Sequence, residues 1–156
     1  MTTLLKKVSI KLQDNNLSLA SAESCTGGWL AKQVTDLAGS SSVFDRGFVT
    51  YSNQAKQDML GVKLATLKAH GAVSEAVAKE MAEGALKYSQ ADITVSITGV
   101  AGPGGGTKDK PVGMVCFGWI KSGGETIVKT VLFSGDRDSV REQAVNFALN
   151  GIYDLI

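Results

Sequence analysis

Ser24 stands in the run Ala22-Glu-Ser-Cys-Thr-Gly-Gly28, where a short apolar and small-residue segment breaks off just before a helical pattern resumes. A hydroxyl at such a strand-to-helix turn lies beside outward-pointing backbone N–H groups able to hold an oxyanion, which suits a nucleophile. Gly27 and Gly28 would let a ligand come close to the backbone. Thr26 followed by two glycines is equally what a tightly packed helix start looks like. Short signatures do not decide between the two: AESCT is not G-x-S-x-G, and Gly27 stands where S-x-x-K requires lysine.

A nucleophilic serine needs a base. His70 is the only histidine, but it sits just before Gly71, where a helix C-terminus favours it as a cap, so a Ser/His/Asp triad is not expected. Lys56 is the alternative. With Asn53 as N-cap, Lys56 falls at the third helical position, where the positive end of the helix dipole opposes its charge and depresses its pKa. A lysine that is neutral near pH 7 can take a proton from serine. The competing possibility is an exposed lysine in an unfavourable place, costing about 0.3 to 1 kcal/mol. Cys25, next to Ser24, is a second possible nucleophile, without a placed histidine or basic neighbour to make its thiolate.

The segment Gly99-Val-Ala-Gly-Pro-Gly-Gly-Gly-Thr-Lys108 does not satisfy G-x-x-x-x-G-K-[ST] and precedes a strand rather than a helix, which removes the best argument for ATP hydrolysis. Successive N–H groups in so glycine-rich a loop can still form an anion nest, with Lys108, Lys110, Arg137 and Arg141 adding charge. A flexible, ligand-free loop has the same composition.

These residues have to be delivered by secondary structure. Leu4, Leu5, Val8 and Leu12 recur at helical spacing and predict a helix over residues 3–14, followed by a strand over 17–22 and a helix carrying Trp29, Leu30, Val34 and Leu37. Residues 44–51 read as a strand leading into a helix from Asn53 through Leu60, and 74–90 as the longest helix, opening at Ser74. Residues 92–98 form a strand; 112–121 and 125–133 form a hairpin; a closing helix begins at Asp136. Its Val140, Ala144 and Phe147 face could serve as core or as an interface. Strands alternating with helices and then a hairpin imply one three-layer α/β/α domain over residues 1–156, with a mixed, mostly parallel sheet and one antiparallel hairpin. Chemistry in such sheets gathers beyond the carboxyl ends of the strands, the ends that residues 23–28, 51–56 and 98–111 leave.

Composition narrows the partners. Sixteen Lys and Arg against fifteen Asp and Glu give a net charge of +1, too little to hold a polyanion, so nucleic acid is not an expected partner. No apolar run suggests a signal peptide or membrane helix. Cys25 and Cys116 form neither a CxxC motif nor a histidine-flanked cluster, so no metal and no disulfide framework is expected and a cytoplasmic, reduced chain fits. Glycine is 18 of 156 residues, about 12% against a usual 7%, which directs attention to the glycine-rich turns.

Taken together, AESCTGGWLAKQVTDLAGSSSVFDRGFVTYSNQAK, GAVSEAVAKEMAEGA, SITGVAGPGGGTKDKPVGMV and FSGDRD resemble the CinA C-terminal domain family from about Leu17 to the last helix. The N-terminal molybdopterin-binding-like domain of longer CinA proteins has no counterpart here, so the chain looks like the single-domain form. The stand-alone members are nicotinamide-nucleotide amidohydrolases. The resemblance therefore implies deamidation of nicotinamide mononucleotide within pyridine nucleotide recycling, with no metal or cofactor. It implies Ser24 as nucleophile, with Tyr51 and Lys56 as the hydroxyl and amine that activate it. Expected substrate contacts are Cys25, Thr26, Gly27 and Gly28 with Thr98, Gly99 and Gly102 around the oxyanion, and Arg46, Thr98, Gly102, Gly104 and Arg137 toward the ribose phosphate. A small-molecule nucleotide is the expected partner, and a homo-oligomer, a dimer first, the expected state. Two other possibilities stay open: a non-catalytic nucleotide-binding regulatory module, and a cysteine amidase using Cys25.

Overall fold

The computed structural model describes residues 3–156. The chain runs α1 (Thr3–Asp14), β1 (Leu19–Glu23), α2 (Trp29–Thr35), a 3-10 turn (Ser40–Ser42), β2 (Phe44–Val49), α3 (Asn53–Leu60), α4 (Leu64–His70), α5 (Glu75–Lys87), β3 (Ile93–Gly99), β4 (Met114–Lys121), β5 (Ile127–Leu132) and α6 (Arg137–Leu155). The first strand begins two residues later than its apolar run predicts. Asn16 takes a left-handed φ of 54° and the Leu17 N–H donates back to the Leu12 carbonyl, so Leu17 belongs to the stop of α1.

The five strands lie in the order β2-β1-β3-β4-β5. β1 pairs in parallel with both β2 and β3, and β4 pairs antiparallel with β3 and β5, so β4 alone runs against the others. The path from β1 goes outward to β2 and then back past β1 to β3. β1 is thus a switch point, and the crevice at its carboxyl end is where a ligand has room between diverging connections.

One layer of helices, α1, α2 and α6, packs on one face of the sheet over a core that includes Leu5, Leu30, Val95, Phe117 and Leu149; α3, α4 and α5 close the other face around Leu60, Val77 and Met81. Val140 and Ala144 are fully buried, and Phe147 packs against Phe117 and Trp119, so this face of α6 is core. On β3, alternate hydroxyls of Thr94, Ser96 and Thr98 donate to the carbonyls of Ala82, Ala78 and Ala72. They satisfy polar groups that burial would otherwise leave unpaired, and they fix α5 and the link before it against the strand that carries Thr98. No helix among the described residues is long and apolar enough to cross a membrane.

Candidate active site

Ser24 is the first residue after β1, yet the ladder still holds it. Its N–H donates to Ile97 O at 2.9 Å, while the preceding Glu23 carbonyl accepts from Thr50 N–H at 2.9 Å. The chain then turns: Gly27 N–H returns to Ser24 O at 3.0 Å, and Gly27 and Gly28 take φ values of 58° and 103° that side-chain-bearing residues rarely adopt. The buried Glu23 carboxylate reaches over this turn to Leu30 N–H at 3.0 Å and Ala31 N–H at 3.1 Å. Two otherwise unpaired donors at the start of α2 are thereby satisfied by the residue beside Ser24. Sequence reasoning missed Glu23, because its capping partners lie seven and eight residues ahead, outside the local capping pattern.

Lys56 arrives from α3. The cap of that helix is Ser52, whose hydroxyl accepts from Ala55 N–H at 3.0 Å; Asn53 is the first helical residue, and its side chain joins the cleft wall. This corrects the expected Asn53 cap and moves Lys56 to the fourth helical position, where the helix-dipole effect is already fading. The lysine is nevertheless held below its ordinary value, for a different reason: only 1% of it is exposed, and burial disfavours the ammonium, with Cys25 acting weakly in the other direction.

The lysine Nζ has three partners: Ser24 Oγ at 3.0 Å, Thr50 O at 3.0 Å and Tyr51 O at 3.3 Å. The two carbonyls can only accept. A neutral amine has two N–H groups and one lone pair, so its N–H groups go to Thr50 and Tyr51, and its lone pair is left for the serine O–H. The arrangement fits proton transfer from Ser24 to Lys56, and the ammonium that results keeps both carbonyls as acceptors.

The surrounding cleft is formed by Ser24, Cys25, Tyr51, Asn53, Lys56, Ala72, Val73, Thr98, Gly99, Ala101 and Arg137. Tyr51 is exposed, and its hydroxyl accepts from Arg137 Nη2 at 3.3 Å; what it offers Lys56 is its main-chain carbonyl, not its phenol. Arg137 Nη1 also donates to Gly102 O at 2.8 Å, which ties the glycine-rich loop to the start of α6. The Cys25 thiol is pushed up to about 11, chiefly by burial, so it is a neutral thiol at pH 7.

Several expected contacts do not reach the cleft. Arg46 lies early in β2, away from the strand ends, with its guanidinium on the Asp45 carboxylate at 2.8 Å and the Tyr88 carbonyl at 3.1 Å. Thr26, Gly27 and Gly28 lie behind the turn and shape it without lining the cleft. Gly102 meets Arg137 through its carbonyl, its α-carbon is crowded by Val112, and Gly104 lies outside the cleft wall. Lys110 donates to the His70 carbonyl, and Arg141 to Cys25 O and Thr26 O, so neither adds free charge to the loop. His70 ends α4 and takes no part in the Ser24 group. Ala72, Val73 and Ala101, which the sequence did not mark, come from links between elements and carry no side-chain chemistry to signal them. Among the described residues no three His, Cys, Asp or Glu side chains come together as metal ligands.

Comparison with known proteins identifies the family. The chain is 54% identical over 150 residues to a protein from Escherichia coli (strain K12) named nicotinamide-nucleotide amidohydrolase PncC, covering 96% of this chain and 91% of that one. It is 51% identical over 152 residues to a CinA-like protein of Akkermansia muciniphila, covering 97% of this chain but 37% of that longer protein. Among solved structures, the competence/damage inducible protein CihA from Agrobacterium tumefaciens superposes with a TM-score of 0.95 at 43% identity, over 97% of this chain and 93% of the other. The profile of the CinA C-terminal domain matches residues 1–156 from end to end, and the chain belongs to that family.

Proposed function

We propose that this protein hydrolyses the carboxamide of nicotinamide mononucleotide, giving nicotinate mononucleotide and ammonia, as a step in pyridine nucleotide recycling. The observation that carries the chemistry is the buried Lys56 amine with two carbonyl acceptors and the Ser24 hydroxyl as its third neighbour. The substrate rests on the 54% identical relative named for it.

In the first step Ser24 Oγ attacks the carboxamide carbon as its proton passes to Lys56. The tetrahedral intermediate then collapses, the C–N bond breaks, and Lys56 returns the proton to the leaving nitrogen, which departs as ammonia. Water, activated by the same amine, next cleaves the acyl-enzyme ester to release the acid and regenerate the hydroxyl. Among the described residues the N–H of Cys25, which lines the cleft, has no backbone acceptor, and it is the proposed oxyanion donor. Burial of the Cys25 thiol favours serine over cysteine as nucleophile.

Ammonia release measured with nicotinamide mononucleotide, nicotinamide riboside, free nicotinamide and NAD tests the assignment. Binding of the mononucleotide without turnover would instead leave a nucleotide-binding module. With Arg46, Lys110 and Arg141 committed elsewhere, Arg137 is the guanidinium left at the cleft to meet the phosphate. A charge-assisted bond is worth about 1.5 to 3 kcal/mol, so Arg137→Gln should raise KM for the mononucleotide about 10- to 100-fold. The riboside should be a correspondingly poor substrate of the wild type. Equal kcat/KM for the two substrates would remove the phosphate from the recognition.

A further inference from the structure

Arg141 lies one helical turn beyond Arg137 on α6, but its side chain is not part of the cleft wall. Its Nε donates to Cys25 O at 3.0 Å and its Nη2 to Thr26 O at 3.2 Å. The guanidinium carbon lies 5.3 Å from the centroid of the Trp29 ring, and Nη1 is 3.8 Å from the Asp138 carboxylate. With 25% of its side chain exposed, the group is held by several partners rather than loose in solvent. A charged fork on two successive main-chain carbonyls is an uncommon commitment for a surface arginine, and it falls on the two residues that follow the nucleophile.

The turn needs such a clamp. Ser24 is fixed to β3 through its N–H, and the start of α2 is fixed by Glu23 through Leu30 and Ala31. The span between contains Gly27 and Gly28, whose backbones have wide conformational freedom. Each peptide unit is planar and trans, so holding the carbonyl of Cys25 sets the N–H of Thr26 on the opposite edge, and holding that of Thr26 sets the N–H of Gly27. Gly27 N–H is then directed to Ser24 O, which closes the turn, and holding the Ser24 carbonyl sets the N–H of Cys25 on the opposite edge of that peptide.

We infer that Arg141 is a positioning residue for the nucleophile turn: its two bonds to the Cys25 and Thr26 carbonyls fix the peptide planes after Ser24 and, through the Gly27 N–H bond to Ser24 O, the Cys25 N–H offered to the developing oxyanion. The inference rests on the amidase reading for its substrate and on the geometry of the turn for its mechanism. Because the effect lies in the transition state, it falls on kcat and leaves KM nearly unchanged, which separates Arg141 from Arg137 on the same helix.

The test compares wild type, Arg141→Ala and Arg141→Lys with nicotinamide mononucleotide, with circular dichroism confirming the fold. A small misplacement of reacting groups costs about 10²-fold, so Arg141→Ala should lose about that factor in kcat while KM moves less than about threefold. Arg141→Lys, which brings one point donor in place of a fork, should fall in between and covers the case in which the alanine variant does not fold. Methylguanidinium should restore part of the lost kcat in Arg141→Ala and do nothing for the wild type. Wild-type kcat in either variant, a rise in KM at constant kcat, or no recovery with methylguanidinium in folded Arg141→Ala would overturn the inference. If wild type released no ammonia, the amidase reading alone would fall. The same ratio between variants would then be read from the rate at which a fluorophosphonate probe labels Ser24, with fluoride leaving phosphorus as the serine oxygen bonds to it.

Discussion

Ser24→Ala is expected to abolish ammonia release, and Lys56→Ala to lower kcat by about 10² to 10⁴-fold, the usual worth of a positioned general base. The two effects should not add. Once the hydroxyl is gone the amine has no proton to accept, and once the amine is gone the buried hydroxyl has no base within reach, since Lys56 Nζ is the one side-chain group hydrogen-bonded to Ser24 Oγ among the described residues. The double variant should therefore be little worse than either single one, as in other catalytic groups that act as a unit. Rates from an ammonia-coupled assay over all three variants, with Cys25→Ala as a fourth, decide the matter. Near-normal kcat in Lys56→Ala would remove the lysine from the mechanism; activity in Ser24→Ala together with its loss in Cys25→Ala would hand the reaction to the thiol.

The second large effect is on pH. Only the neutral amine has a lone pair for the serine proton, so kcat/KM should climb about tenfold per pH unit while Lys56 is mostly protonated and level off above its pKa. Burial holds that pKa below the ordinary lysine value of 10.5, so the plateau should arrive earlier than an exposed lysine would allow. The same shift has a stability signature. The unfolded chain keeps its Lys56 proton up to the ordinary value, whereas the folded chain gives it up sooner, so between those two pKa values the unfolded state binds more protons and raising the pH favours folding. Relative to Lys56→Met, wild type should therefore gain stability across that window and show a constant difference below it. Denaturant melts of both proteins at a series of pH values measure this. A difference that stayed flat up to pH 10.5 would mean the lysine is not perturbed by folding.

Two surface arginines show how far local pattern goes and where it stops. Arg137 and Arg141, four residues apart on α6, read alike in sequence, as charges near a glycine-rich loop. The fold gives them separate partners, because at the start of α6 one guanidinium meets Gly102 and Tyr51 and the other meets the carbonyls of Cys25 and Thr26. Arg46, expected at the ribose phosphate, is drawn instead to Asp45 and Tyr88. Long charged side chains reach so many neighbours that their partners cannot be chosen from spacing along the chain.

What the sequence determined by itself was everything set by short-range periodicity and backbone chemistry. The apolar repeats mark α1, α5 and α6, the β-branched runs mark the strands, Ser-Gly-Gly marks the hairpin between β4 and β5, and the small residues after Glu23 mark the turn at Ser24. The ordered motifs also carried the family resemblance. The tertiary structure alone decided what depends on residues far apart in sequence. It chose Ser52 over Asn53 as the cap, brought Lys56 to within 3.0 Å of Ser24 across 32 residues, and buried the lysine so that desolvation, rather than the helix dipole, lowers its pKa. The reason is physical: a side chain's hydrogen-bonding capacity is written in its type, but the dielectric around it and the partners that complete it exist only once the strands have paired and the helices have closed over them.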